Sequence, residues 1–323
     1  MMSIKLLSFC MLIALCPPLW ASVYMLPENG DNVVGHIQYR YVTGDETLLD
    51  IARMFDLGYN EIMAANPGVN PWVPKDNYRV VVPTQFVLPP KPWRGIVINL
   101  PEMRLYYFPP ASRFDNKRVF TMPLSIGKIN WQTPTGNFFV TGKIKGPSWT
   151  VPESIVKEYG LERYGNQRII PPGDDSNPLG DYAILLNKKG YLIHGTNKPF
   201  SIGRRVSHGC IRLYPENISI LFDHVDRNTP VRIIKEPVKV GRRHNRIFVE
   251  AHGRLAEDVK QGVNITPVVK NILRQVPGRR IPESSWRQLD RIVSKASGMP
   301  ISFLELTDQQ VSQQDSLPVP PSH

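Results

Sequence analysis

Cys210 is the residue whose type and surroundings point to covalent chemistry. The other two cysteines, Cys10 and Cys16, lie in the apolar start of the chain. A thiol attacks as thiolate, and with a free pKa of ~8.5 it needs a neighbour that removes its proton or stabilises the anion. Two histidines are candidates. His208 precedes Cys210 by two residues, so in an extended segment both side chains would leave the same face. His194 ends a β-like run sixteen residues upstream, and it meets Cys210 if the intervening loop folds back. Spacing alone does not choose between them. Gly209 lets a backbone N–H approach a substrate closely. With the N–H of Cys210 it could bind a developing oxyanion, an effect worth roughly 3–4 kcal/mol per donor. A zinc site from His194, His208 and Cys210 lacks a fourth ligand at a familiar spacing, and structural zinc takes four.

The segment HGTNKPFSIGRRVSHGCIRL, from His194 to Leu213, resembles the signature of the L,D-transpeptidase (YkuD) family. H-G-T opens it, fifteen residues separate the histidine from the cysteine, and S-H-G-C-I-R-L closes it. Supporting matches are Ile98-Asn99 with Arg104-Leu105-Tyr106, Ser125-Ile126-Gly127, Thr133-Pro134-Thr135-Gly136 and Asn177-Pro178-Leu179-Gly180. In its order of parts the chain looks most like the enterobacterial periplasmic group of ErfK/YbiS/YcfS/YnhG type.

The resemblance implies Cys210 as nucleophile, His194 as the base that takes its proton, and the backbone carbonyl of Gly195 as the orienting third member. His208, Gly209 and Arg212 match positions that shape the oxyanion and substrate pocket, and Ser207 matches the serine opening the cysteine motif. The implied substrate is a peptidoglycan tetrapeptide stem, attacked between the L-centre of diaminopimelate and the terminal D-alanine. D-Alanine leaves and a thioester forms. An amine then takes the acyl group, either a second diaminopimelate (giving 3-3 cross-links) or a lysine of an outer-membrane lipoprotein. The S-H-G-C-I-R-L form and the C-terminal extension lean toward the lipoprotein acceptor. No cofactor or metal is implied, because the energy of the cleaved amide passes through the thioester. A cysteine hydrolase would share the first step with water as acceptor. A wall-binding protein without activity would leave the Cys/His pair unexplained.

These residues need a scaffold of strands. β-Rich runs cover Ile96–Leu100, Arg104–Phe108, Val119–Ile126, Phe138–Ile144, Tyr182–Leu186, Tyr191–His194 and Val231–Ile234, which sets a β-rich catalytic domain at residues 95–236. The long segment 146–180 between two of them has the length of a functional loop, often a lid. One helix is clear: Pro215 in its first turn, then Ile218, Leu221, Phe222 and Val225 on one face.

Before this domain, Tyr41–Pro83 reads as strand, helix, helix, strand, with Thr47 and Asn60 as helix caps. V-T-G-D, an L-x-x-I-A helix, A-N-P and V-V-V-P resemble a LysM domain, a family that binds the N-acetylglucosamine backbone of peptidoglycan and chitin. The domain is placed at residues 38–84. Glu46 is an extra residue against the family pattern, and Asp76-Asn77 replaces its usual glycine. Gln85–Arg94, with three prolines, reads as a stiff linker. Residues 237–307 read as a small C-terminal helical extension whose basic cluster, Lys239, Arg242, Arg243 and Arg246, faces solvent. Residues 308–323 read as a disordered tail. The expected fold class is mostly β with added helices.

Lys5, the largely apolar run Leu6–Leu15 and Ala21 read as a cleaved signal peptide over residues 1–21, which implies export to the periplasm. The run is too short to span a bilayer, which takes about 20 residues. Proline is 31 of 323 residues, near twice the usual ~5%, which disfavours a helical bundle. The net charge of +11 suits an anionic partner. No zinc finger, RNP sequence or basic-region helix points to nucleic acid, and a cell-wall polymer meets the same requirement.

Overall fold

A computed structural model of the chain describes residues 22–110, 117–278 and 280–306. The expected signal peptide at 1–21 and the expected tail at 308–323 lie outside the described residues.

The catalytic motif sits on a closed ring of eight strands. They are β1 Gly95–Asn99, β2 Arg104–Phe108, β3 Arg118–Gly127, β4 Gly136–Lys145, β5 Tyr182–Leu186, β6 Leu192–His194, β7 Ile211–Leu213 and β8 Pro230–Ile234. Pairing runs β1-β2-β3-β7-β6-β5-β4-β8 and back to β1. Closure satisfies the backbone groups that an open sheet would leave at its edges. Two neighbouring pairs, β6/β7 and β8/β1, are parallel. A parallel pair needs a crossover rather than a tight turn, and the crossover from β6 to β7 is the loop from His194 to Cys210. Alternation along the strands turns Ile96, Ile98, Leu105, Met122, Ile193 and Ile211 into one core. The helix Pro215–His224 covers it with Ile218 and Leu221.

β1 and β2 are buried on both faces, at every position. Their inner face belongs to the ring. Their outer face, with Val97, Tyr106 and Phe108, shares a second core with Val42, Leu48, Ile51, Leu57, Ile62 and Val80. Those residues come from a βααβ unit. Gln38–Tyr41 pairs antiparallel with Arg79–Val82, and helices Leu48–Met54 and Tyr59–Ala65 lie between them in the chain. Thr47 caps the first helix, accepting from the Asp50 N–H at 3.1 Å. The second helix begins at Tyr59, not after Asn60: Glu61 reaches back to the Gly58 N–H at 2.7 Å and does the capping.

The linker expectation is overturned. Gln85–Val87 is a strand paired with Val33–Gly35, and the units on either side share buried surface. The physical reason is the doubly apolar β1–β2 hairpin, whose outer face requires a cover. The seam also buries an ion pair: Arg104 Nε lies 2.7 Å from Glu61 Oε1, with side chains 0% and 7% exposed.

The C-terminal extension carries more than helices. Strands Val238–Arg243, Arg246–Ala251 and Ile301–Glu305 form an antiparallel sheet beside helices Thr266–Gln275 and Glu283–Lys295, around a core including Val249, Ile272, Leu289 and Phe303. Its basic cluster is not a solvated face. Lys239 Nζ is buried 2.9 Å from Glu102 and 2.8 Å from Glu250. Arg243 donates to Gly35 O at 2.7 Å, and Arg242 lies 3.3 Å from Asp31. The carboxylates and carbonyls of the N-terminal and hairpin segments draw these cations inward. Arg246 remains exposed, beside Glu305.

Candidate active site

Strand register brings the motif together. β6 and β7 run parallel, with Ile193 opposite Ile211 and His194 opposite Arg212. Ile193 and Ile211 point into the core, so His194 and Arg212 belong to the opposite face. Cys210 directly precedes β7, and the Arg212 guanidinium acts electrostatically on both His194 and Cys210. The loop 195–210 folds back so that β7 lies beside β6.

His208 goes elsewhere, because Ser207–Cys210 is a bend and not an extended run. Ser207 Oγ donates to Cys210 O at 2.5 Å and accepts from the Gly209 N–H at 3.2 Å. Gly209 has φ +103°, and a Cβ there would sit 3.0 Å from the Tyr191 ring, so only glycine suits the bend. Thr133 Oγ1 donates to Gly209 O at 2.9 Å and accepts from the Gly127 N–H at 3.0 Å. His208 Nε2 then lies 2.9 Å from Glu158 Oε2, and its ring packs 5.2 Å from that of Trp131. The Gly209 N–H, a candidate oxyanion donor, is already engaged by Ser207.

Electrostatics follow from burial. His194 is held down to about 3, first by desolvation and then by the Arg212 guanidinium; the backbone of Gly195 and Leu179 opposes the fall. Its Nδ1 is buried without a partner in hydrogen-bond geometry. Burial pushes the Cys210 thiol up, against the Leu192 backbone and Arg212, which lower it. The thiol donates to Gly190 O at 3.3 Å. The resting pair is therefore neutral imidazole and thiol, beside a guanidinium whose Nε is itself buried and unpartnered.

The family profile of the L,D-transpeptidase catalytic domain (YkuD) matches residues 94–233, the span of the strand ring. Probable L,D-transpeptidase YcfS of Escherichia coli K12 is 35% identical over 313 residues, 95% of this chain and 95% of its own length. The chain belongs to the L,D-transpeptidase family. Probable L,D-transpeptidase YbiS of the same organism is 35% identical over 300 residues, 90% of this chain and 94% of its own. The crystal structure of L,D-transpeptidase 3 from Mycobacterium tuberculosis is 20% identical, covering 51% of this chain and 73% of that one, with a TM-score of 0.33.

L,D-Transpeptidases are enzymes that act on peptidoglycan, and this transpeptidase has a cavity of about 400 Å³ lined by Arg212 and His208. Lys128, Arg163 and Lys198 add positive charge to the same wall, and Trp149 and Tyr164 add aromatic surface. The segment 146–180 forms one side of it. That segment has its own small core of Trp149, Val151, Ile155, Ile170 and Leu179. Asn177 ties its ends, donating to Pro147 O at 2.9 Å and Pro171 O at 3.0 Å. Its helix Glu153–Tyr159 is joined to the motif through Glu158, which meets both His208 and Lys128. Sequence reading assigned no role to Glu158, Lys128 or Tyr191. Thr133 entered it only through T-P-T-G.

Proposed function

We propose that the transpeptidase works through a thioester on Cys210, with His194 as the base. The observation that carries this reading is the β6/β7 register, which puts His194 opposite Arg212. The Arg212 guanidinium acts on both the imidazole and the Cys210 thiol, with His194 neutral above a pH of about 3. The thiol proton passes to the imidazole as sulfur attacks the carbonyl between the L-centre of diaminopimelate and D-alanine. Both ions of a thiolate–imidazolium pair are costly in this buried site, so transfer is coupled to attack. The imidazolium returns the proton to the departing D-alanine amine, leaving thioester and neutral base. An incoming amine then attacks the thioester and gives up a proton to His194; the C–S bond breaks, and the imidazolium returns that proton to the departing sulfur, restoring thiol and neutral base.

Arg212 supplies fixed positive charge beside the developing oxyanion, and the Cys210 N–H a donor to it. Gly195 holds the imidazole through its backbone, and Ser207, Gly209 and Thr133 hold the bend that presents sulfur. His208 shapes the pocket and joins it to the lid. The cationic cavity suits a stem peptide rich in carboxylates. The βααβ unit at 38–84 serves as a LysM-like glycan-binding module, and residues 1–21 export the chain to the periplasm. The preferred acceptor is a lipoprotein lysine, with diaminopimelate as the rival.

The test is mass spectrometry of muropeptides after the mature protein is incubated with sacculi. Released D-alanine and a new amide must appear; cleavage without a new amide would make it a hydrolase. Expression in a strain lacking its own enzymes of this family decides the acceptor. Cross-links between diaminopimelates, with no wall-bound lipoprotein, would reverse the preference. A labelled carbapenem that remains bound to wild type but not to Cys210→Ala after denaturation identifies the nucleophile.

A further inference from the structure

We propose that the turn between the two N-terminal helices is a bracket that sets the geometry of the loop from His194 to Cys210, with Tyr59 as a positioning residue. The proposal rests on the roles given above to those two residues.

The loop is held from two sides. On one side lies the edge of β3. The Gly203 N–H donates to Leu124 O and the Ile126 N–H to Arg204 O, both at 3.2 Å, and Ser125 Oγ donates to Ser201 O at 2.7 Å. Arg205 and Ser207 then pair in parallel with Ile126 and Gly127. On the other side lies the N-terminal turn. The Tyr59 N–H donates to Ile202 O at 2.9 Å, and the Arg204 guanidinium stacks 3.6 Å from the centre of the Tyr59 ring. Gly203, at φ +85°, meets the turn backbone to backbone: a Cβ there would fall 2.2 Å from Tyr59 N and 2.7 Å from Gly58 C. The approach demands glycine.

The turn is itself anchored to the catalytic domain on both sides of the motif. Arg104 Nη2 donates to Asp56 O at 2.8 Å, Asn217 Nδ2 to Asp56 Oδ1 at 2.6 Å, and Tyr214 Oη to Leu57 O at 3.0 Å. His194 is fixed by the strand ring. Cys210 depends on the loop, since Ser207 holds its carbonyl. Loosening the bracket therefore moves sulfur relative to imidazole, and a displacement near 1 Å at reacting groups costs roughly 100-fold.

The test uses Tyr59→Ala, Tyr59→Phe and Arg204→Ala in the full chain. The readout is the acylation rate of Cys210 by a carbapenem against pH, normalised to folded protein by circular dichroism and thiol titration. Tyr59→Ala is expected to slow acylation roughly 10- to 100-fold at neutral pH and to make the rate climb toward alkaline pH as base assistance is lost. Tyr59→Phe keeps the ring and restores both rate and profile. Arg204→Ala reproduces the defect, and combining it with Tyr59→Ala adds little, because both remove one contact. If Tyr59→Ala does not fold, Arg204→Ala carries the same readout. A wild-type rate and profile in the alanine variants overturns the proposal. So does a loss that only tracks unfolded protein with the profile unchanged. Cys210→Ala separates the two levels: acylation that survives it sinks the nucleophile assignment, whereas acylation abolished by it, with normal Tyr59→Ala, sinks only the bracket.

Discussion

His194 and Arg212 lie directly opposite each other on two parallel strands, so a fixed positive charge stands beside the imidazole. Burial first, and that neighbour second, keep His194 neutral down to about 3. The same guanidinium pulls the Cys210 thiol downward, while burial pushes it up. One cation thus helps keep the imidazole unprotonated and opposes the burial that raises the thiol.

Acylation by a carbapenem should accordingly be nearly independent of pH between about pH 5 and 8 in the wild type, because the base is neutral throughout. His194→Ala should lose roughly 10²–10⁴-fold at neutral pH and then recover about tenfold per pH unit as thiolate forms unaided. His208→Ala should lose activity without that recovery, since its ring faces Glu158 and Trp131. Rate–pH profiles of both variants decide the matter. Alkaline recovery in His208→Ala alone would show that the wrong base has been named.

The depressed His194 also makes an acid-stability prediction. The unfolded histidine takes a proton near its ordinary 6.5, while the folded one stays neutral to about 3. Between those values the unfolded state binds more protons, so this group destabilises the fold as pH falls from 6.5. By pH 5 the loss is about 2 kcal/mol. Urea unfolding of wild type and His194→Asn at several pH values should show a shallower acid-side decline in the variant. Parallel curves would contradict it.

Arg104 makes the N-terminal unit inseparable from the ring. It donates to Glu61 at 2.7 and 3.0 Å, to Thr121 at 2.9 Å and to Asp56 O at 2.8 Å, wholly buried. Arg104→Met strands the Glu61 carboxylate and should cost about 3–5 kcal/mol, whereas replacing both partners by apolar residues should cost less. Deleting residues 38–84 should give an unfolded chain, not a free catalytic domain. Denaturant curves and a one-dimensional NMR spectrum check both.

Glu158 ties the segment 146–180 to the cysteine motif, through His208 at 2.9 Å and Lys128 at 3.1 Å. Glu158→Gln should raise KM for a stem peptide a few-fold with little change in kcat. Melting temperature should not move, because exposed ion pairs contribute little to stability. Equal falls in kcat and kcat/KM would instead place Glu158 in the chemical step.

The family and the β-rich class were legible in the sequence because their signals are local. S-H-G-C-I-R-L and H-G-T are short runs, and the β-rich stretches of the ring, Thr47 before its helix and Pro215 at the head of another lie within a few residues of what they control. Spacing does not choose between His194 and His208, because where each ring lies depends on a bend at Gly209 and on a parallel register between two strands joined only by a long crossover. The resemblance to the family signature names His194, and the fold sets that residue opposite Arg212. The linker and the solvated basic cluster were misread for one reason. Gln85–Val87 and Lys239 look polar or proline-bordered locally, but their surroundings come from residues far away in the chain: Val33–Gly35 for the strand, Glu102 and Glu250 for the lysine. Hydrophobic pattern tells a strand which face to bury. It does not say what will cover the other face: the sequence determined that 96–98 and 105–108 are unbroken apolar runs, while only the tertiary structure decided that the N-terminal unit covers their outer face.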